Sequence, residues 1–253
     1  MTGRRAVLVT GGARRIGAVL VRRFAAEGRA VVVHYNRSAD AALTLQAELT
    51  TAGATASILA ADLSDPDAVG TLLARALDIA PDLGVLVNCA SLFEPDTTVD
   101  PGVQRWREMM DVNALAPARL SADLHAQVEG GIVINILDQK LANPNPDYFS
   151  YTAAKAALAE ASRMQAMAFG TRTRIVCLAP GLMLPSGDQT AEEYARSAVL
   201  NLLGRRTSPD DLADAAQLVA SGAVASGETL FVDGGQHLTP QSRDVMFLVR
   251  GET

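Results

Sequence analysis

Short runs of Val, Ile, Leu and Ala recur along this chain at residues 6–10, 30–35, 54–60, 84–87, 131–137, 174–178 and 228–232. They lack the polar alternation of a strand that shows one face to water, so both faces of the sheet they form must be covered. Helical stretches lie between them. In the first, Ile16, Leu20 and Phe24 repeat at i, i+4 and i+8, and Gly28 follows as a helix stop. Repeated alternation of this kind predicts a parallel, doubly wound α/β sheet with right-handed crossovers and helices on both faces. No linker, low-complexity tract or internal repeat interrupts it, so residues 1–253 are expected to form a single domain. One stretch breaks the rhythm. From about 181 to 209 the chain carries Pro185, Gly187 and Asp188, then a helix-like segment with Tyr194 and Leu200. An insertion at the carboxyl edge of a parallel sheet lies where ligands bind, so a substrate lid is expected there rather than a passive loop.

Apolar residues make up 49% of the chain and aromatic ones only 4%, as suits helices packed on a buried sheet. A net charge of −6 argues against a dedicated nucleic-acid binder. The arginine pairs at 4–5, 14–15, 22–23 and 205–206 are short, and all but 14–15 read as solvated helix faces and loop edges. Cys89 and Cys177 lie in apolar runs without metal-type spacing and read as buried free thiols, which fits a reducing compartment. His34, His125 and His237 form no metal constellation. The apolar stretch after the first arginines is too short for a signal-peptide core, and no run approaches the length of a membrane span. A cytoplasmic protein with neither a membrane nor a nucleic-acid partner is the expectation.

The first apolar run leads straight into Thr10-Gly11-Gly12-Ala13-Arg14-Arg15-Ile16-Gly17 and the amphipathic helix. Glycines allow a tight turn and a close backbone approach to a pyrophosphate, while the helix N-terminus offers free N–H donors. The GxGxxG spacing is absent, and such a turn can also close with no ligand. Its place between strand and helix makes it a Rossmann-like nucleotide turn, with Ile16 and Gly17 at the helix start. The second run ends in His34-Tyr35-Asn36-Arg37-Ser38, with no acid before Asp40. An NAD site usually has an acid there for the ribose 2′-hydroxyl. Arg37 can instead pair with a 2′-phosphate, Ser38 can donate to it, and Arg14 and Arg15 approach from the turn. NADPH is therefore expected over NADH, unless Arg37 is a solvated loop residue; Tyr35 is counted with this nucleotide set. Asp62 and Leu63 follow the third run, where a carboxylate can accept from an adenine amino group. Asn88-Cys89-Ala90-Ser91 follows the fourth, with small residues where the backbone passes the nicotinamide ribose.

Tyr151 and Lys155 stand at i and i+4 at the start of a helix predicted over 151–170, so phenol and ammonium share one face. A nearby positive charge lowers a phenol's pKa and would make Tyr151 a usable proton donor. A tyrosine and lysine at this spacing are common by chance. Their position after the fifth strand of a nucleotide-binding sheet is what gives them meaning.

With these segments together, the chain resembles the short-chain dehydrogenases/reductases from Ala6 to His237. The likeness rests on the Thr10–Gly17 turn, Asn88–Ser91, Asp111-Val112-Asn113, Tyr151/Lys155, Pro180-Gly181 and Val232-Asp233-Gly234-Gly235. The resemblance implies that Tyr151 is the acid/base, that Lys155 binds the nicotinamide ribose and tunes the tyrosine, and that Asn113 holds a water of the proton relay. It also adds Pro180 and Gly181 to the cofactor-binding residues and implies a homotetramer.

The departures from the family pattern are informative. Arg15 replaces a glycine of the turn, and Asp138 replaces the catalytic serine at the end of the fifth strand. Both, with His34–Ser38 and Ala90-Ser91-Leu92-Phe93, are similar to pteridine reductases and bacterial dihydromonapterin reductases. That similarity implies that Phe93 stacks on a pterin, Ser91 binds its polar edge, Arg15 lies near its polar atoms, and Leu182 borders it. A carboxyl beside a tyrosine suits proton supply to a ring nitrogen, whereas a serine suits a carbonyl. Asp138 could also be a helix cap or loop ion pair, and Phe93 a hydrophobic residue under the lid. Hydride transfer from NADPH to a pterin C=N bond is the leading expectation. Reduction of a ketone or enone on the same scaffold is the alternative, and a non-catalytic NADP-binding regulator the remoter one.

Overall fold

The computed structural model describes residues 5–251, so Arg4 of the first arginine pair lies outside it. The strands are β1 (Ala6–Thr10), β2 (Val31–Tyr35), β3 (Ala56–Ala60), β4 (Leu83–Asn88), β5 (Gly131–Ile136), β6 (Thr173–Pro180) and β7 (Thr229–Val232). They form one sheet in the order β3-β2-β1-β4-β5-β6-β7, with every pairing parallel. This is the doubly wound, Rossmann-like single domain that the sequence predicts. Successive β1 side chains go to opposite faces, as pleating requires. Val7 and Val9 meet Leu20 and Phe24 of α1 (Arg15–Ala26) and Leu212 and Val219 of α8 (Pro209–Ala220). Ala6 and Leu8 meet Leu72 and Leu73 of α3 (Pro66–Ile79) and Leu120 and Leu124 of α5 (Ala116–Gln127).

Burial on both faces holds for the inner strands but not for the edges. β3 and β7 are mostly half-buried, because each has a neighbouring strand on one side only. The remaining helices are α2 (Ala39–Thr51), α4 (Val103–Met110), α6 (Phe149–Phe169), α7 (Ala191–Ser197) and α9 (Val245–Arg250). A single π turn, Asp111–Leu115, joins α4 to α5 and carries Asn113. Helix α6 begins at Phe149, two residues before the predicted start. In the 181–209 segment, Thr190 and Glu193 form a capping box that starts α7, and Ser208 with Asp211 does the same for α8.

Two arginine pairs are less idle than their sequence implies. Arg5 donates to the carbonyls of Leu83, Glu129 and Gly130, joining the starts of β4 and β5. Arg22 pairs with Glu48 of α2, and Arg23 with Asp210 and Asp214 of α8.

His34 is a polar residue inside an apolar strand, 1% exposed. Its Nδ1 accepts from the Gly11 N–H at 3.1 Å, which leaves Nε2–H to donate to the Ala61 carbonyl at 3.1 Å. The ring thus pins the glycine turn to the ends of β2 and β3, and burial lowers its pKa from 6.5 to about 4. The neutral ring is what the fold accommodates. Stability should therefore be full above pH 6.5 and fall as the pH drops toward 4, by about 3 kcal/mol from this group. His34→Asn retains an acceptor for Gly11 but cannot titrate. Urea denaturation between pH 7 and 4 should show a shallower acid loss in the variant than in the parent.

Candidate active site

β1 is flanked by β2 on one side and β4 on the other, and at this switch point a cavity of about 740 Å³ opens along the carboxyl ends of the strands. Its nucleotide half is made by the turn after β1. Gly11 adopts φ 62°, and a Cβ there would lie 2.8 Å from the Ala90 Cα. Only glycine allows that approach. Arg15, Ile16 and Gly17 line the cavity at the start of α1. That helix start has neither a side-chain cap nor an acid in its first turn, so its dipole and N–H groups are left for an external anion. Arg14 and Arg37 also line this half, and Asp62 and Leu63 stand beyond them. Asp62 accepts from the Ser64 N–H at 2.9 Å and its Oγ–H at 2.7 Å, and these bonds lower its pKa. A carboxylate so held is available to an amino donor. The residues present fit a phosphorylated dinucleotide.

Three residues of the expected cofactor set are not on the cavity wall. Tyr35 packs against the core on the side of β2 opposite to His34 and Asn36, which do line the cavity; strand parity decides this. Ser38 is half-buried at the N-cap of α2. Asn88 is buried, its amide donating to Asn135 Oδ1 at 2.8 Å and to the Pro117 carbonyl. Ala90 and Ser91 do reach the wall, although the Ser91 hydroxyl donates to the Leu92 carbonyl.

The other half is built on the ends of β5 and β6 and the start of α6. Tyr151 Oη donates to Asp138 Oδ2 at 2.8 Å, while Asp138 Oδ1 accepts from the Lys140 N–H at 2.8 Å. The carboxyl is thus both a cap for the short helical turn Gln139–Leu141 and a partner of the tyrosine. Burial raises the Asp138 pKa. Tyr151 was expected to be lowered by Lys155. Instead its pKa is raised well above the ordinary value, first by burial and then by the Asp138 charge. The Lys155 ammonium lies 5.8 Å from the tyrosine ring centre and donates to the Ile136 carbonyl at 2.7 Å; burial lowers its pKa to about 8. The phenol proton thus lies between Oη and Oδ2, at the cavity wall.

Asn113 makes side-chain contacts that the sequence does not announce. Its amide Oδ1 accepts from the Leu92 N–H at 2.8 Å and its Nδ2 donates to the Leu92 carbonyl at 2.9 Å. The side chain secures the loop carrying Phe93. Phe93, 38% exposed, stacks on Tyr148 at 4.1 Å and meets Tyr151 edge-on at 4.7 Å. Asp96 of the same loop accepts from the Ser150 N–H with both oxygens, tying it to the first turn of α6. Across the cavity Pro180, Gly181 and Leu182 line the wall, and Gln236 Oε1 accepts from the Leu182 N–H. Arg15 donates to the Pro185 carbonyl, linking the nucleotide turn to the 181–209 segment.

Arg15 and Tyr148 are the non-glycine residues with positive φ, at 51° and 53°, among those described, and they bracket the site. Strain of this kind persists where surrounding contacts over-determine the backbone. Sequence reasoning missed Lys140, Tyr148, Asp244 and Val245. Lys140 had one available signal, since it and Lys155 are the chain's only lysines. The others had none, because Tyr148 meets the site through the Phe93 ring and Asp244 and Val245 reach the cavity from a late helix. Asn113→Ala removes both bonds to Leu92 and should cost about 2 kcal/mol, measured as a lower urea midpoint at unchanged m-value.

Comparison with known proteins agrees with this geometry. The family model described as short chain dehydrogenase matches residues 5–195. The 3beta-hydroxysteroid dehydrogenase 1 of Eggerthella lenta is 30% identical over 245 residues, covering 92% of this chain and 94% of its own. Pteridine reductase 1 of Leishmania tarentolae is 29% identical, over 92% of this chain and 96% of its own. The crystal structure of FolM alternative dihydrofolate reductase 1 from Brucella suis in complex with NADP superposes with a TM-score of 0.91 at 34% identity, covering 96% of this chain and 99% of that one. The matched length, the parallel sheet and the tyrosine–lysine helix beside the glycine turn agree, and the chain belongs to the short-chain dehydrogenase family.

Proposed function

We propose that this protein is an NADPH-dependent reductase of pterins, taking a dihydropterin to a tetrahydropterin. The observation that carries this reading is the half-buried Asp138 carboxyl hydrogen-bonded to Tyr151 on the wall of the nucleotide cavity. NADPH, when bound, supplies the hydride for the carbon of the C=N bond. The nitrogen of that bond then needs one proton. The Tyr151–Asp138 pair holds that proton between Oη and Oδ2, and Lys155 stands behind the phenol to compensate the charge left when it departs. Phe93 offers an aromatic face to the pterin, Ser91 and Arg15 its polar contacts, and Leu182 an apolar border. Arg14 and Arg37 face the nucleotide phosphates. The similarity to pteridine reductase 1 and to the NADP-bound FolM structure supports the same reading.

Ketone reduction is the second reading, favoured by the similarity to a hydroxysteroid dehydrogenase and by the tyrosine alone, whose hydroxyl could serve a carbonyl oxygen. A homotetramer is part of our proposal. Leu115, Met164 and Met167 are exposed around α5 and α6, a surface that a second copy would cover. Light scattering on a sizing column reads it directly. The free thiols Cys89 and Cys177 suit a cytoplasmic setting, and the 181–209 segment, held to the nucleotide turn through Arg15, suits a lid.

Titrating NADPH and NADH should show tighter NADPH binding, and Arg37→Ala should cost NADPH about 1.5–3 kcal/mol, or roughly 10- to 150-fold, with little effect on NADH. Equal affinities in the parent protein would overturn the cofactor assignment.

Tyr151→Phe should abolish most turnover while NADPH still binds, since only the proton donor is lost. Asp138→Ser should weaken dihydropterin reduction by about tenfold or more and raise any activity on ketones. Turnover of simple ketones with none on dihydropterins would select the second reading; no turnover of either would leave a nucleotide-binding protein.

A further inference from the structure

Of the 22 lysines and arginines in the chain only two are lysines, Lys140 and Lys155. Both are buried at the cavity, 4% and 3% exposed. Lys155 belongs to the tyrosine helix. The ammonium of Lys140 bears on the chemistry above through its charge, which lowers the Asp138 pKa, and a buried charge is costly unless it is paired.

The contacts of Lys140 run outward. Its ammonium donates to the Asp147 carbonyl at 2.7 Å and to Asp244 Oδ2 at 3.4 Å, and lies 5.2 Å from the centre of the Tyr148 ring. Asp244 is the cap of α9: its Oδ1 accepts from the Met246 N–H, and its own N–H donates to Asp147 Oδ2 at 2.7 Å. Arg243 Nε–H is shared by both Asp147 oxygens at 3.0 and 2.9 Å. At the other end of α9, Arg250 pairs with Glu193 of α7 and with Asp188. A helix of six residues cannot hold itself in place. It depends on these two anchors, one beside Asp138 and one on the 181–209 segment, and on the burial of Val245 and Met246. Asp244 and Val245, at its start, form part of the cavity wall.

We infer that Lys140 is a positioning residue that locks α9 in place as the outer wall of the substrate end, and that this wall selects the substrate's side chain rather than its reacting ring. The reacting ring would be held by Tyr151, Asp138 and Phe93, whose hydrogen bonds and ring contacts run to one another, to Tyr148 and to the Lys140 N–H, while α9 bears on them through the packing of Met246 and Phe247 and the charge of Asp244. Asp244 and Val245 face whatever substituent the ring carries. A lysine suits the task because a compact ammonium can serve a carbonyl and a carboxylate within one buried corner, where a planar guanidinium would need more room. For its substrate this inference rests on the pterin reading, whereas the lock itself does not.

The test compares the parent protein with Lys140→Met and Asp244→Asn, the latter keeping the helix cap while removing the charge. Amide hydrogen exchange over residues 245–250 should speed up by about tenfold or more in both variants, with the 151–169 amides unchanged. With 7,8-dihydromonapterin, which carries a hydroxylated side chain, KM should rise by about tenfold at nearly constant kcat. With 6-methyl-7,8-dihydropterin, which has almost no side chain, both constants should stay within about twofold of the parent. Unchanged exchange would overturn the lock. Equal loss of kcat on both substrates would overturn the wall and assign Lys140 to the reacting pair. If Lys140→Met does not fold, Asp244→Asn carries the same readouts. If the parent reduces neither dihydropterin, the pterin reading fails, and exchange alone decides the lock.

Discussion

A parallel sheet whose first strand sits between β2 and β4 sends its connections to opposite faces on the two sides of β1. The backbones therefore part at the carboxyl ends of β1 and β4, and a crevice opens that no side chain of the core fills. Every later feature answers to that crevice. Gly11 must turn with positive φ against Ala90, His34 must stay neutral to accept from Gly11, and α1 must start without a cap. The same geometry brings the ends of β5 and β6 to the other side of the opening, where Asp138 and Gly181 emerge.

Chemistry in this crevice depends on groups kept out of water. Tyr151, Asp138 and Lys155 are each shifted chiefly by burial: the two acids are raised and the lysine lowered. All three shifts favour neutral forms: the phenol and the carboxyl hold a proton more firmly than in water, and the lysine gives one up more readily. The hydrogen bond between phenol and carboxyl then determines where that proton lies. A serine at 138 would leave the tyrosine as the sole acid, so the carboxyl changes both the number and the direction of proton donors at the opening.

Hydrogen bonds and ion pairs join the walls of the cavity to one another. Asn113 fixes the Phe93 loop through Leu92, Asp96 ties that loop to α6, and Arg15 ties the nucleotide turn to Pro185. Glu193 and Arg250 then join α7 to α9. These are few and largely polar contacts between short segments, the kind that can open separately while the sheet stays folded. Movement of one wall would be felt at the next through named bonds.

The sequence by itself determined the sheet, its parallel sense, the glycine turn, and the tyrosine–lysine helix start. Those features follow from local pattern: apolar runs, helical spacing, and a glycine-rich turn between strand and helix. It also marked Arg37 by its place just after the second strand, whereas Asp138 and Phe93 were marked by the resemblance to pteridine reductases. Tertiary structure alone decided which neighbours of those residues face the cavity. Strand parity turned Tyr35 away and His34 inward, and the Leu92 backbone claimed the Asn113 amide. The direction of the Tyr151 shift was likewise not local, since burial and Asp138 outweigh a lysine one helical turn away. Lys140 and α9 reach the site through contacts spanning 104 residues of chain, a separation that no spacing rule covers, because only the folded backbone brings such segments within a few ångströms.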